Sequence, residues 1–197
     1  MIYVFLAEGF EETEALAPVD LLRRSGKTVI TVGVGDNVVT SSHGIPVVTD
    51  TIAQEIILDD NLEMIVLPGG MPGTLNLEKS QYVQNAIDFC VQNNKFIGAI
   101  CAGPSILGHK GLLNGKKAVC YTGFETQLTG AIIGDGLTAE DGIFITARGA
   151  GAAIEFGLKL VEKPYRRKKV QDSVKQYSLT DFNLWKIKNH YGKNFQK

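Results

Sequence analysis

Three stretches of this chain carry residue types whose spacing could support covalent chemistry, and each stands where an apolar run ends. The first is Ala99-Ile100-Cys101-Ala102-Gly103-Pro104. An apolar run leads straight into Cys101, two small residues follow, and proline stands where a helix would begin. This is the small-x-nucleophile-x-Gly pattern of a strand–turn–helix elbow, with cysteine at its centre. Small neighbours let the backbone close around a strained central residue. Proline suits the first helical turn, where its missing N–H costs nothing. Cys101 should then face the positive end of a helix, which favours the thiolate and lowers the thiol pKa. The alternative is an inert buried thiol. Cys90, on the apolar face of a helical stretch, and Cys120, within a strand, take that second reading.

The second stretch is Leu67-Pro68-Gly69-Gly70-Met71-Pro72-Gly73. A glycine pair at the end of a strand lets backbone N–H groups turn inward without side-chain obstruction. Such amides could hold an oxyanion or a carbonyl beside Cys101, although a plain loop has the same composition. The run fits neither GxxxxGK[ST] nor GxGxxG, so nucleotide binding is not supported. The third is Gly9-Phe10-Glu11-Glu12-Thr13-Glu14. Acids at a helix start suit its dipole, which accounts for Glu11 and Glu12. Glu14 differs, because Pro18 stands four residues on and cannot donate to its carbonyl, so the helix should be distorted there.

The elements that must position these residues follow from periodicity. Near-continuous apolar runs at 2–6, 28–34, 64–67 and 96–100 read as strands buried on both faces of a parallel sheet. Residues 118–121, 131–133 and 143–147 read as further strands, the last preceded by an Asp141–Gly142 turn. Residues 38–39 and 46–49 flank a Ser-Ser-His-Gly turn and read as a small antiparallel pair. Helical stripes cover 12–25, 81–93, 104–111 and 151–162, the first closed by Gly26. Alternation at this spacing predicts an α/β sandwich with a mostly parallel sheet and helices on both sides. Ligand sites in such folds lie at the carboxyl ends of the strands, where all three stretches stand.

Composition narrows the classes. Of 197 residues, 44% are hydrophobic and 21% charged, as in an ordinary globular domain. No stretch approaches the roughly 18 consecutive apolar residues of a membrane span, and the start MIYVFLAEGFEE lacks the basic opening and cleavage site of a signal peptide. Three cysteines and three histidines show no metal-ligand spacing, so no metal is expected and the reducing cytosol is the expected compartment. The net charge of −1 conceals two parts of opposite charge. Residues 1–162 hold 10 Lys+Arg against 19 Asp+Glu, a net of −9, while 163–197 hold 10 against 2, a net of +8. An acidic body disfavours nucleic acid as a partner.

Taken together, EGFEETEALAPVDLLRRSG, MIVLPGGMPG, FIGAICAGPSIL and ITARGAGAAIEFGLKLVE resemble the ThiJ/PfpI superfamily, in the branch of the thiazole-biosynthesis-like proteins and the parkinsonism-associated protein deglycase. The resemblance spans residues 1–162 and implies a flavodoxin-like, class I glutamine-amidotransferase-like three-layer sandwich that forms homodimers through the first helix and the 38–49 hairpin. It implies Cys101 as the reactive nucleophile and Glu14 as an acid hydrogen-bonded to its sulfur. The amides of Gly70 and Ala102 would form the oxyanion site, with Gly69 shaping the turn. It implies a cofactor-free reaction on a small aldehyde, glyoxalase- or deglycase-like, a hydro-lyase or hydrolase. A redox-sensing or chaperone-like stress protein using Cys101 oxidation is the competing class.

Departures from the family pattern matter as well. Protease-like members carry histidine directly after the cysteine, where this chain has Ala102, and some relatives of the branch carry histidine where Tyr121 stands. A Cys–His proteolytic pair is therefore not expected. Tyr121 and His43 are possible auxiliary groups, the latter in a turn that approaches the partner subunit's site in this branch. The basic extension 163–197 departs from the usual C-terminal helix. It offers at most a short helix at 168–177, and its apolar groups Phe182, Leu184, Trp185 and Ile187 could dock on the acidic body.

Overall fold

The apolar runs and helical stripes alternate in space as they do along the chain. The computed structural model describes residues 1–163. Its first half runs β1 (Ile2–Ala7), α1 (Glu12–Arg24), β2 (Val29–Val34), β3 (Val38–Thr40), β4 (Pro46–Val48), β5 (Thr51–Ile52), β6 (Met64–Leu67), α2 (Gly73–Lys79) and α3 (Gln81–Gln92). Its second half runs β7 (Phe96–Ile100), α4 (Pro104–His109), β8 (Lys117–Ala118), β9 (Ile132–Ile133), β10 (Thr138–Asp141), β11 (Phe144–Ala147) and α5 (Ala153–Val161). The expectations for 168–177 and for the aromatics beyond fall outside the described residues.

Seven strands make one sheet in the order β10-β11-β7-β6-β1-β2-β5, parallel throughout except for β10. Each strand's alternation feeds two cores. On one face Ile2, Val4 and Leu6 pack with Leu21 and Leu22 of α1 and Phe156 and Leu160 of α5. On the other, Tyr3, Phe5 and Ala7 pack with Leu77 of α2, Val83, Ile87 and Cys90 of α3, and Ile106 and Leu107 of α4. A sheet buried on both faces gains hydrophobic stabilisation from each, and the result is the three-layer, flavodoxin-like sandwich that the motifs implied.

The register levels the strand ends that matter. Leu67 of β6 pairs with Ala99 of β7, and Ile100 pairs with Ala147 of β11. The next residues out of β6, β7 and β11 therefore emerge side by side, with Cys101 in the middle.

Several elements differ from the periodicity reading. The strand expected at 118–121 shrinks to β8, which pairs only with β9. Beyond it the backbone turns to other acceptors: the Val119 N–H donates to Thr146 Oγ1 and the Tyr121 N–H to the Cys101 carbonyl. The hairpin partner β10, the edge strand β5 and the helix α2 went unpredicted. α2 opens on Pro72-Gly73 with no side-chain cap, so its start carries no sequence signal. Pro18 does not interrupt α1, which runs unbroken from Glu12 to Arg24. The forgone Glu14 carbonyl bond is one among many, and burial of Pro18 against α5 keeps that turn in place.

Candidate active site

Cys101 adopts φ +64°, one of two non-glycine residues with positive φ among those described. Such a conformation costs on the order of 1–3 kcal/mol and persists only where the surroundings impose it. Here they do. The Cys101 N–H donates to the Ala147 carbonyl at 2.9 Å and its carbonyl accepts from the Tyr121 N–H at 2.9 Å. Just past the elbow, the Gly103 N–H closes on the Ile100 carbonyl. Strand β7 thus delivers the thiol to the sheet's carboxyl edge, as the elbow pattern predicts.

Glu14 arrives from the first turn of α1, whose start is capped by Glu11 Oε2 accepting from the Glu14 N–H at 2.6 Å. Its side chain is 1% exposed. Glu14 Oε2 accepts from the Gly69 N–H at 3.0 Å, the Ala150 N–H also donates to the carboxyl, and the carboxyl is hydrogen-bonded to the Cys101 sulfur. Burial pushes the Glu14 pKa up to about 7, reinforced by the nearby Glu11 charge and opposed by these hydrogen bonds. The expected contact of acid and thiol is present.

The glycine turn supplies the rest of the cradle. A Cβ on Gly69 would lie 2.5 Å from Glu14 Oε2 and 2.6 Å from Cys101 Cβ, so only glycine fits. Gly70 sits at φ +92° and is wedged against the backbone of Gly9, Phe10 and Glu11. The amides of Gly70 and Ala102 both hydrogen-bond to the Cys101 sulfur. The Gly69 amide is committed to Glu14 instead, so the glycine pair divides its two donors between acid and thiol.

One expectation is overturned. The helix end does not lower the Cys101 pKa. Burial, then the charge and hydrogen bond of Glu14, push the thiol up to about 12, against the opposing pull of the Ala102 and Gly70 amides. The reason is local. α4 has only six residues, Pro104 has no N–H, and the Gly103, Ser105 and Ile106 amides bond within the turn itself. Cys90 and Cys120 are pushed up to about 12 and about 11 by burial. What separates Cys101 from them is access and partners, since Cys90 and Cys120 are 0% and 2% exposed.

Of the auxiliary candidates, Tyr121 stands at the site. Its ring is half exposed, edge-on to Phe124 at 6.5 Å, and flanks Gly149 beside the thiol. His43 pairs with Glu12 Oε1 at 2.9 Å, which raises its pKa, and also meets Ser42. Within the described chain it joins Glu11 and Glu12 rather than the Cys101–Glu14 pair. Those three place potential metal-ligating atoms within 4.8 Å of one another, although Glu11 already caps α1. Gly149 and Ala150 enter the sequence analysis only inside the resembling run ITARGAGAAIEFGLKLVE, with no role assigned to either. Their RGAG run follows a strand, but no reactive residue type drew attention to it.

Known proteins share this arrangement of elements. The family model described as DJ-1/PfpI matches residues 1–163. The Arabidopsis thaliana protein DJ-1 homolog B is 36% identical over 85% of this chain, which spans only 39% of that relative's length. The Caenorhabditis elegans glutathione-independent glyoxalase DJR-1.2 is 31% identical over 79% of this chain and 83% of its own. The solved structure of oxidized Toxoplasma gondii DJ-1 superposes with a TM-score of 0.85 at 33% identity, covering 89% of this chain and 96% of that one. No helix among the described residues is long and apolar enough to cross a membrane. A match along the whole described chain, with the same sandwich in a solved relative, makes this chain a member of the DJ-1/PfpI family.

Proposed function

We propose that the protein converts small α-oxoaldehydes to hydroxy acids without a cofactor, with Cys101 as nucleophile and Glu14 as general acid and base. The observation that carries this reading is the buried carboxyl of Glu14 hydrogen-bonded to the Cys101 sulfur, with its pKa raised to about 7. An acid poised at that value can both take and return a proton near neutrality. The glutathione-independent glyoxalase activity named for the C. elegans relative supports the same chemistry.

The steps follow from the groups present. Glu14, ionised, takes the thiol proton as sulfur attacks the aldehyde carbon, which offsets the cost of forming a buried thiolate. The resulting hemithioacetal oxygen turns to the amides of Gly70 and Ala102, which hold developing negative charge. Glu14 returns the thiol proton to the hemithioacetal oxygen and, ionised again, takes the proton from the former aldehyde carbon. The hydroxyl proton passes to the ketone oxygen and Glu14 delivers its proton to the neighbouring carbon, leaving a thioester. Water hydrolyses the thioester, releasing the hydroxy acid and regenerating the thiol. The sum is addition of one water to the dicarbonyl.

Proton NMR of methylglyoxal incubated with the protein and no glutathione tests the reading. Lactate should accumulate with the native protein and not with Cys101→Ser. Unchanged methylglyoxal with both would overturn it. A second reading, a redox sensor acting through Cys101 oxidation, draws on the oxidized form of the T. gondii relative and on the partial exposure of this thiol alone among the three. Reversible peroxide oxidation of Cys101 in a protein that makes no lactate would favour it.

A further inference from the structure

The backbone at Gly149 does not demand glycine. Its φ of 165° and ψ of −167° are extended backbone that any residue adopts. Its neighbours on either side are firmly placed. The Arg148 N–H donates to the Leu137 carbonyl, the Arg148 guanidinium holds the Gly134 and Gly136 carbonyls, and the Ala152 N–H closes on the Gly149 carbonyl at 2.7 Å. A Cβ added at Gly149 would meet no backbone within 4 Å among its three nearest atoms. Those atoms are Tyr121 Cδ2 at 3.3 Å, Glu14 Oε1 at 3.7 Å and Cys101 Sγ at 3.8 Å. Gly69 and Gly70 are different, since crowding and a positive φ respectively demand glycine at those positions. A side chain at 149 would press on the Tyr121 ring and fill the space directly beside the sulfur and the carboxyl.

Tyr121 bounds that space from outside. Its backbone is pinned to the Cys101 carbonyl, while its ring is 53% exposed and touches only an edge of Phe124 among aromatic groups described. The ring is thus a wall whose foot is fixed and whose face can shift by a rotamer change.

We infer that Gly149 is a specificity-determining position: the space left by its absent side chain receives the carbonyl substituent of the group attacked by Cys101, and the Tyr121 ring sets the outer limit of that space. The inference rests on Cys101 being the attacking atom, and it assigns the size limit to two residues that do not carry out the chemistry. One carbon at 149 is enough to matter, because a single methylene in such a pocket changes selectivity by about 10- to 200-fold.

The test reads the thiol directly, so that it is independent of turnover. Native protein, Gly149→Ala and Tyr121→Ala are alkylated separately with iodoacetamide and with N-phenylmaleimide, and rates at the Cys101 peptide are followed by mass spectrometry. The ratio of the two rates on one thiol cancels any change in its ionisation. Gly149→Ala should lower the large-to-small ratio by at least about 10-fold, and Tyr121→Ala should raise it. Where lactate production is present, the kcat/KM ratio of methylglyoxal to glyoxal should fall in Gly149→Ala. Labelling ratios that stay within about twofold of native in both variants would overturn the inference. A shifted labelling ratio without any turnover would keep it and remove the glyoxalase reading alone. Tyr121 is half exposed, so its variant remains a valid test even if Gly149→Ala fails to fold.

Discussion

At the scale of single residues, we propose that reactivity rests on a proton shared by Glu14 and Cys101 rather than on a helix dipole. The folded protein holds the Glu14 proton to about pH 7, whereas the free carboxyl releases it near 4.5. The folded state therefore binds more protons between those values, and stability falls as pH rises through that window and levels off above it. The full shift corresponds to roughly 3 kcal/mol. Denaturant melts at pH 5 and 8 should show the native protein losing more stability than Glu14→Gln over that interval; equal losses would contradict the raised pKa. Activity should rise through a limb near pH 7, where Glu14 becomes a base, and this limb should be missing in Glu14→Gln. The proximity of Cys101, Glu14 and the Gly69–Gly70 turn was legible because the elbow and the glycine pair stand at neighbouring strand ends, while the pairing of Glu14 with the thiol came through the resemblance. The direction of the thiol shift was not legible, since it depends on burial and on a carboxylate 87 positions away in the chain, neither of which a local pattern contains.

At the scale of elements, the site depends on how α1 is seated. Glu14 is carried to the thiol on α1, which packs against α5, and Gly157 of α5 lies at a tight point of that contact. A Cβ there would lie 2.5 Å from Leu21 Cδ1 and 3.1 Å from Pro18 Cα. Alanine would raise helix propensity by about 1 kcal/mol, but the overpacking it forces costs about 1–3 kcal/mol. Overpacking wins, because Pro18 Cα is backbone and cannot step aside. Gly157→Ala should lower the melting temperature by several degrees and, by shifting α1, reduce lactate production as well. An unchanged or higher melting temperature would show that the two helices can separate freely. Long apolar runs such as 2–6 and 64–67 announced their strands, and the 38–49 hairpin announced itself by its turn. The short strands β5 and β10 form by pairing with longer neighbours, β2 and β11. Their own residues, such as Thr51–Ile52, carry too little pattern to reveal them.

At the scale of the whole molecule, the apolar side chains of Leu16 in α1 and of Val38, Ile45 and Val48 in the hairpin region stand exposed among the described residues. We propose that a second copy covers them, as the resemblance implied for the first helix and this hairpin. A stable interface of this kind buries about 1,200 Å² or more in total. Light scattering at micromolar concentration should give about twice the 21.4 kDa of the chain, and Val48→Lys should shift it toward the monomer. A monomeric mass for the native protein would contradict the proposal. The fold class was legible at this scale because strand–helix alternation leaves few architectures, whereas assembly entered only through resemblance.

The central claim is that Cys101 and Glu14 act as one unit, and a double-mutant cycle on kcat/KM for methylglyoxal tests it most directly. Groups that share a single step lose most of their rate when either is removed. Cys101→Ser and Glu14→Gln should each reduce kcat/KM by about 10³-fold or more, and the double variant should fall no further than the worse single variant. Losses that multiply in the double variant, or a Glu14→Gln enzyme as active as the native one, would contradict the account.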